Sequence, residues 1–559
     1  GIAFSLEDLF EHDTVASLVL AIGAEQTQAV VQCQTQPFEL VADSIRRQLP
    51  DGVADAYPVS QLQQGMLYHS MLQSGAGIYH DIVHYRIGLG FDENSLRKAL
   101  QLLTDRHTIL RTGIDLESYP VPLQLVYRRV LPQLSVIPLE SNIQSGLQAW
   151  QQHELQHGFA KDDYPLIRFA ALVTHAGVWY LGFSFHHAIL DGWSEASLMA
   201  ELLSTYSGLL NGQSTETLPL RSTYRDFIVR EQAALNDPVQ RDYWQSFEDT
   251  ALSRVQLPCL ADVKEDEYCL DTAVSETVSY VLDSEQSKAL RRLAIEQGYS
   301  LKTVLLCAHL KALSVACATD HVVSGVSFHG RPEVVDSEKV LGLFVNVLPV
   351  ALSVQDGSWI ELLNKVETRY KQVLPYRFYP LAEIKRCRGG EQPFESSFNY
   401  TQFNVLWQED TQAGTQLNDQ RGGVAENSLP FSVNVQSYPD RDEIYVSVTT
   451  LRSHYATGVG LSYSRLYRQV LAQMVAAPAQ SHRTLSEQEQ AQLSAWRGEI
   501  AAYPEDCLHQ LVEAQAQANP DVVAVISAEQ PLTYGELNAR ANRLARYLRE
   551  QRQVQRETL

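Results

Sequence analysis

From Tyr57 to about Ala477 the chain alternates stretches whose apolar residues recur at helical spacing with short runs rich in β-branched and aromatic residues. The clearest such runs are Ile82–Ile87, Trp179–Phe185, Thr277–Leu282, Val322–Phe328 and Glu443–Thr449. This interleaving predicts an α/β (α+β) architecture. Polar, Pro-containing breaks at Asp237-Pro238 and Leu257-Pro258 divide the region into halves of similar size, so two lobes are expected. Ahead of it, Ser5–Phe10 and Thr14–Ile22 each begin with Ser or Thr and read as two short helices, too little for a core. The Gln-rich text from Gly23 to about Asp55 predicts a linker. Beyond Ser481 a charged helical stretch leads to Leu508–Glu513, then to a β-like Val522–Ile526. Leu532–Leu537 opens a last helix rich in Ala, Arg and Leu.

The 559-residue length exceeds one ordinary core and by itself predicts several units. Lys plus Arg total 44 against 66 acidic residues, and the resulting net charge of −22 repels a phosphate backbone, so nucleic-acid binding is disfavoured. The 45% hydrophobic and 20% charged content is that of a chain that buries cores. No apolar run reaches the roughly 20 residues that cross a bilayer, and no leader is visible at Gly1-Ile2-Ala3-Phe4, so an excised cytoplasmic piece is expected, with no membrane partner. The seven cysteines are odd in number, widely spaced and never C-x-x-C, which predicts reduced thiols and no metal site.

Chemistry concentrates in Phe185-His186-His187-Ala188-Ile189-Leu190-Asp191-Gly192-Trp193-Ser194. The run Trp179–Phe185 delivers two adjacent histidines, and because strand side chains alternate between faces, only one of them can serve a given cavity. Ser194 precedes an apolar helical stretch and reads as its N-cap, which places unpaired N–H groups and a positive dipole end beside the histidines. Such donors suit a developing oxyanion, with Gly192 N–H and the Ser194 hydroxyl as candidates. The blander reading is that the histidines are satisfied core groups and Asp191-Gly192 is only a turn.

His-His-x-x-x-Asp-Gly at a strand end resembles the signature of the condensation-domain superfamily, which includes chloramphenicol acetyltransferase and other thioester-dependent acyltransferases. The remaining motifs follow in order. Tyr57–Leu67 resembles the opening motif, and Arg106-His107 through Arg111-Thr112 the second. Tyr224–Glu231 is similar to the helix motif ending the first lobe. Ser324–Pro332 and Gly342–Pro349 match those of the second lobe, and Phe394–Tyr400 fits the last more loosely. The flanks resemble the end of a peptidyl carrier domain and the start of an adenylation domain, an order found in nonribosomal peptide synthetases. The resemblance implies two chloramphenicol-acetyltransferase-like lobes forming a V with a tunnel between them. The implied boundaries are a truncated carrier domain over 1–22, a linker over 23–55, condensation lobes over 56–235 and 236–480, a linker over 481–502, and a truncated adenylation domain over 503–559.

The implied reaction is amide-bond formation between a peptidyl or aminoacyl thioester donor and an aminoacyl thioester acceptor, an L residue joined to an L residue. The implied partners are the upstream and downstream carrier domains and the module's adenylation domain. No cofactor binds this piece, and substrates arrive on 4'-phosphopantetheine arms whose attachment serine would precede Gly1, so Ser5 is not that site. His187 is the implied catalytic residue, with His186, Asp191, Gly192, Trp193 and Ser194 supporting the loop. Asp191 could orient His187 as in hydrolase triads, but the resemblance implies instead a structural ion pair with Arg331. An epimerisation domain, a coenzyme A-dependent acyltransferase and a noncatalytic carrier-recruiting domain are the alternatives. Arg106, His107 and Arg111 read as braces; His329 could line the tunnel, but a lone histidine is more often a satisfied structural group. Trp193 either shapes the acceptor side or packs in the core. The pairs Gly389-Gly390 and Gly422-Gly423 lack a following Lys-Ser or Lys-Thr and read as loop glycines.

Overall fold

The computed structural model describes residues 35–72, 78–140, 142–160, 163–175, 177–213, 218–247, 275–402, 422–424, 429–438, 442–482, 487–497, 506–527 and 530–555. The two helices expected within 1–22 and the break at Leu257-Pro258 lie outside these residues. The described chain forms one compact unit up to His482 and a second from Glu487 onward.

In the first half of the larger unit, strand β1 (Val53–Pro58) is followed by helix α1 (Gln61–Leu72), β2 (His80–Ile87), α2 (Glu93–Arg106), β3 (Thr112–Asp115), β4 (Leu123–Tyr127) and β5 (Leu134–Leu139). Then come α3 (Ile143–His157), β6 (Ile167–Thr174), β7 (Trp179–His186), α4 (Gly192–Leu210), α5 (Tyr224–Asn236) and α6 (Pro238–Ser246). A later strand, β12 (Gly422–Val424), completes the main sheet, whose order is β12-β2-β7-β6-β5. Helices cover both of its faces. Leu96, Leu100 and Leu103 of α2 and Leu198, Leu202 and Tyr206 of α4 pack on Val83, Tyr85, Phe183 and Phe185. Leu147 and Trp150 of α3 pack on Ile82, Leu172 and Tyr180. Every residue of β7 is consequently buried.

The second half centres on a sheet ordered β10-β9-β11-β13-β14-β8. Its strands are β8 (Ser275–Leu282), β9 (His321–His329), β10 (Val345–Ser353), β11 (Ser396–Thr401), β13 (Phe431–Tyr438) and β14 (Glu443–Leu451). Strand β8 alternates exposed and half-buried positions, the mark of one covered face. The covering helices include α7 (Ser284–Gln297), the largely buried α8 (Leu301–Ala316), α9 (Trp359–Val373) and, after the short α10 (Leu381–Cys387), α11 (Val459–Ala476). Trp244 and Phe247 at the end of the first half enter this second core. A separate apolar cluster joins the lobes: Tyr57, Val126, Tyr224, Phe227 and Ile228 from the first meet Val340 and Phe344 from the second.

Two expectations change. Residues 35–55 do not behave as a free linker. Phe38, Val41, Ile45 and Leu49 pack on Val53, Leu123 and Leu125, and Arg225 clasps both Asp55 and the Thr35 carbonyl. These apolar positions recur at helical spacing, which the preceding glutamines mask. Gly422-Gly423 belong to a strand rather than a loop, because they pair with Val83 and His84 of β2 and so tie the second half of the chain to the first lobe's sheet. Gly389 and Gly390 do form a turn after α10, both at positive φ. The charged helical stretch expected beyond Ser481 is helix α12 (Glu487–Trp496). In the second unit α13 (Leu508–Ala518) and α14 (Tyr534–Gln551) flank the antiparallel pair β15 (Val523–Val525) and β16 (Leu532–Thr533).

Candidate active site

Antiparallel pairing of β2 with β7 sets His80 opposite His186. The ladder runs one step further, since His187 N–H donates to the Tyr79 carbonyl at 2.7 Å. The two histidines therefore take opposite faces, as alternation requires. His186 turns inward, 5% exposed. Its Nδ1 accepts the Ala188 N–H at 3.1 Å, so the ring proton sits on Nε2 and donates to Ser70 Oγ at 2.9 Å, whose hydroxyl donates to the Ile78 carbonyl. Burial, then the neighbouring His187, lowers its pKa to about 3, so it is a neutral structural group.

His187 takes the other face, where Asp81 of β2 sits two residues from Tyr79 and therefore diagonal to it. Its Nδ1 lies 2.8 Å from Asp81 Oδ2, and no hydrogen-bond partner of Nε2 is found among the described residues. Burial disfavours the imidazolium, but the charge and hydrogen bond of Asp81, helped by Asp191 and Glu195, outweigh it and hold the pKa above its ordinary value. The side chain nonetheless keeps 34% of its exposure. Solvent reaches the ring although the protein around it disfavours its charge. His329, at the end of β9, has the same character. It is exposed and without a side-chain hydrogen bond among the described residues, yet burial, then Lys302, Arg377 and Arg331, pulls its pKa to about 4. Of the two readings of His329, that of a satisfied structural histidine finds no hydrogen bond to support it among the described residues.

Asp191, not Ser194, is the N-cap of α4: its Oδ1 accepts the Ser194 N–H at 2.8 Å and its Oδ2 the Phe344 N–H at 3.1 Å. Arg331 Nη2 lies 3.5 Å from Oδ1, with Asp191 buried and the Arg331 side chain 12% exposed. The same guanidinium donates to the Ser337 and Val340 carbonyls and to Ser194 Oγ, and it stacks over the Phe344 ring. The Ser194 hydroxyl donates to the Gly342 carbonyl at 2.8 Å and accepts the Gly342 N–H and Arg331, with no exposure left. It is saturated and cannot serve an oxyanion, which corrects that part of the expectation. Gly192 is the first residue of α4, so its N–H has no intrahelical acceptor. Trp193 Nε1 donates to the Glu338 carbonyl at 3.2 Å, tying the loop to the second lobe. His187, Asp191, Gly192, Trp193, Ser194 and Arg331 thus gather at the junction of the lobes, while His186 lies behind them.

The braces are visible too. Glu201 takes Arg106 at 2.7 Å and His107 at 2.8 Å, and Arg111 donates to the Tyr127 carbonyl. Sequence reasoning missed two residues that touch the loop. Gln63, fully buried, donates to the Ala188 carbonyl at 2.9 Å. Asp81, the second residue of β2, lies just ahead of the run Ile82–Ile87 and carried no signal in the sequence; its Oδ2 meets the His187 ring. Among the described residues no cluster of His, Cys, Asp and Glu could hold a metal ion, and no helix is long and apolar enough to cross a membrane.

Residues 53–494 match the family model described as condensation domain. The AMB antimetabolite synthetase AmbE of Pseudomonas aeruginosa is 31% identical over 501 residues, covering 86% of this chain. The chain spans only 23% of that relative. In fold it is similar to the first condensation domain of the calcium-dependent antibiotic synthetase in complex with a substrate analogue (TM-score 0.62, 17% identity, 77% of this chain and 99% of that one). It is equally similar to the epimerization domain from the third module of tyrocidine synthetase B (TM-score 0.63, 19% identity, 77% and 100%). With its lobes, its ordered motifs and its histidine loop, the chain belongs to the condensation-domain family.

Proposed function

We propose that this chain is a condensation domain of a nonribosomal peptide synthetase and joins a carrier-bound peptidyl or aminoacyl thioester to a carrier-bound aminoacyl thioester, with His187 as the catalytic residue. The observation that carries the reading is the half-buried His187 imidazole, held through Nδ1 by Asp81 beside the lobe junction, with Nε2 open among the described residues. A thioester is already activated, so the site must hold two arms end to end and manage one proton. As the amine nitrogen bonds to the donor carbonyl, Nε2 takes the proton it sheds, and on collapse that proton goes to the departing thiolate. The products are the amide and a free thiol. Gly192 N–H is the donor offered to the oxyanion, although the Asp191 cap cancels part of the helix dipole there. Asp191 and Arg331 act as a structural pair behind the loop, with His186, Trp193 and Ser194 as its supports.

The reading extends to the substrates and flanks. Donor and acceptor are both L, on the likeness of Gln63-Gln64-Gly65-Met66-Leu67 and the histidine loop to that class. The phosphopantetheine arms belong to upstream and downstream carrier domains. Residues 1–22 are the end of a carrier domain and 503–559 the start of an adenylation domain, which accords with a relative much longer than this chain. The protein works in the cytoplasm. The test mixes this chain with donor and acceptor carriers chemically loaded with defined aminoacyl groups, and mass spectrometry looks for dipeptidyl thioester. Product from L but not D donors supports the reading. A racemised donor thioester without dipeptide assigns the site to epimerisation.

A further inference from the structure

Resting on His187 as the catalytic residue, we infer that Asp81 is its positioning residue: the carboxylate fixes the ring as the Nδ1–H tautomer and leaves the Nε2 lone pair free for the substrate. The placement is built into the sheet. Strand register sets Tyr79 across from His187, and Asp81 follows two residues along the same face. Asp81 Oδ2 then meets Nδ1 at 2.8 Å. Tyr79 holds its carbonyl toward the His187 N–H while adopting φ 59°, a left-handed conformation that a tyrosine rarely takes.

The other groups facing His187 are otherwise employed. Asp191 spends both oxygens on Ser194 N–H and Phe344 N–H. Glu195 accepts the Tyr85 hydroxyl at 2.7 Å. His186 is neutral and bonded to Ser70. Asp191 and Glu195 act on the ring only through space, whereas Asp81 touches it. An Nε2–H tautomer would set the Nδ1 lone pair against a carboxylate, so the neutral ring carries its proton on Nδ1. The proton arriving from the amine then goes to Nε2, and the imidazolium so formed is stabilised by Asp81 until the thiolate takes that proton.

Nitrogen-15 NMR of the whole chain, with His187→Gln to assign the signal, reads the tautomer directly; Nδ1–H above the ring's pKa is expected, and Nε2–H overturns the inference. In Asp81→Asn the charge is gone, so the His187 titration and the acidic limb of kcat both move to lower pH. The plateau of kcat falls roughly 10- to 100-fold, the scale of one charge-assisted hydrogen bond. Asp81→Glu restores the upward shift in part. A lower plateau with neither limb nor titration moved would mean a merely structural aspartate and overturn the inference. Should Asp81→Asn fail to fold, the wild-type tautomer still decides. An Asp81-dependent titration in a chain that makes no dipeptide would contradict the proposed reaction and leave the role of Asp81 intact.

Discussion

Replacing Asp191 separates a support role from a chemical one. The carboxylate does three things at once: it caps α4, accepts the Phe344 N–H and neutralises Arg331 across the lobe junction. Losing a cap costs about 1 kcal/mol, orphaning a buried N–H about 1–3 kcal/mol, and stripping one partner from a buried ion pair about 3–5 kcal/mol. These figures overlap because one group supplies all three. Arg331 also keeps the Ser337 and Val340 carbonyls and Ser194 Oγ as acceptors, which places the total at the low end. Asp191→Ala is expected to lose about 3–4 kcal/mol. In Asp191→Asn the amide oxygen can keep one of the two N–H bonds while the NH2 group opposes the other, so about 2 kcal/mol is expected. Urea unfolding measures the loss, and turnover per folded molecule, taken well below the transition, should remain a large part of wild type. An Asp191→Asn variant as stable as wild type and without turnover would refute the reasoning, since the carboxylate would then act on substrate.

Two further predictions concern the lobe junction. Glu231 is buried and accepts the Gln61 N–H, and burial, with Glu383 adding to it, raises its pKa from 4.5 to about 7. The folded state therefore binds this proton more tightly than the unfolded one, and stability falls as pH rises from about 4.5 to about 7. Glu231→Gln should match wild type near pH 4.5 and exceed it at pH 8 by up to about 3 kcal/mol; equal or lower stability at pH 8 would contradict this. At Gly342 a Cβ would overlap the ring of Tyr224, whose hydroxyl is held by the Leu343 carbonyl at 2.8 Å and cannot swing aside. Gly342→Ala should cost about 1–3 kcal/mol and lower kcat as well, because the Gly342 carbonyl anchors Asp191 N–H and the Ser194 hydroxyl. An unchanged melting curve would show that the lobes yield there.

Much of this arrangement was legible in the residues. The alternation of Trp179–Phe185 already required His186 and His187 to part, and the motif order already required two lobes. What was hidden depends on pairing between distant segments. Asp81 reaches His187 only through the β2–β7 register, from a position 106 residues earlier in the chain. Gln63 looked like one glutamine among several, and its value comes from the Ala188 carbonyl it meets. Ser194 resembled a cap because hydroxyl residues often are, but the helix already begins at Gly192, and Asp191 caps it by accepting the Ser194 N–H. Strand β12 could not be foreseen, since two glycines and a valine carry no pattern and join a sheet whose other strands end at His186.

The central claim is that His187 handles the proton of amide-bond formation. Its most direct test is the single-turnover rate of dipeptidyl thioester formation between loaded carriers, wild type against His187→Ala. General acid–base catalysis supplies about 10²- to 10⁴-fold, so a loss on that scale in a folded variant is predicted. A His187→Ala chain that forms dipeptide at the wild-type rate would contradict the account.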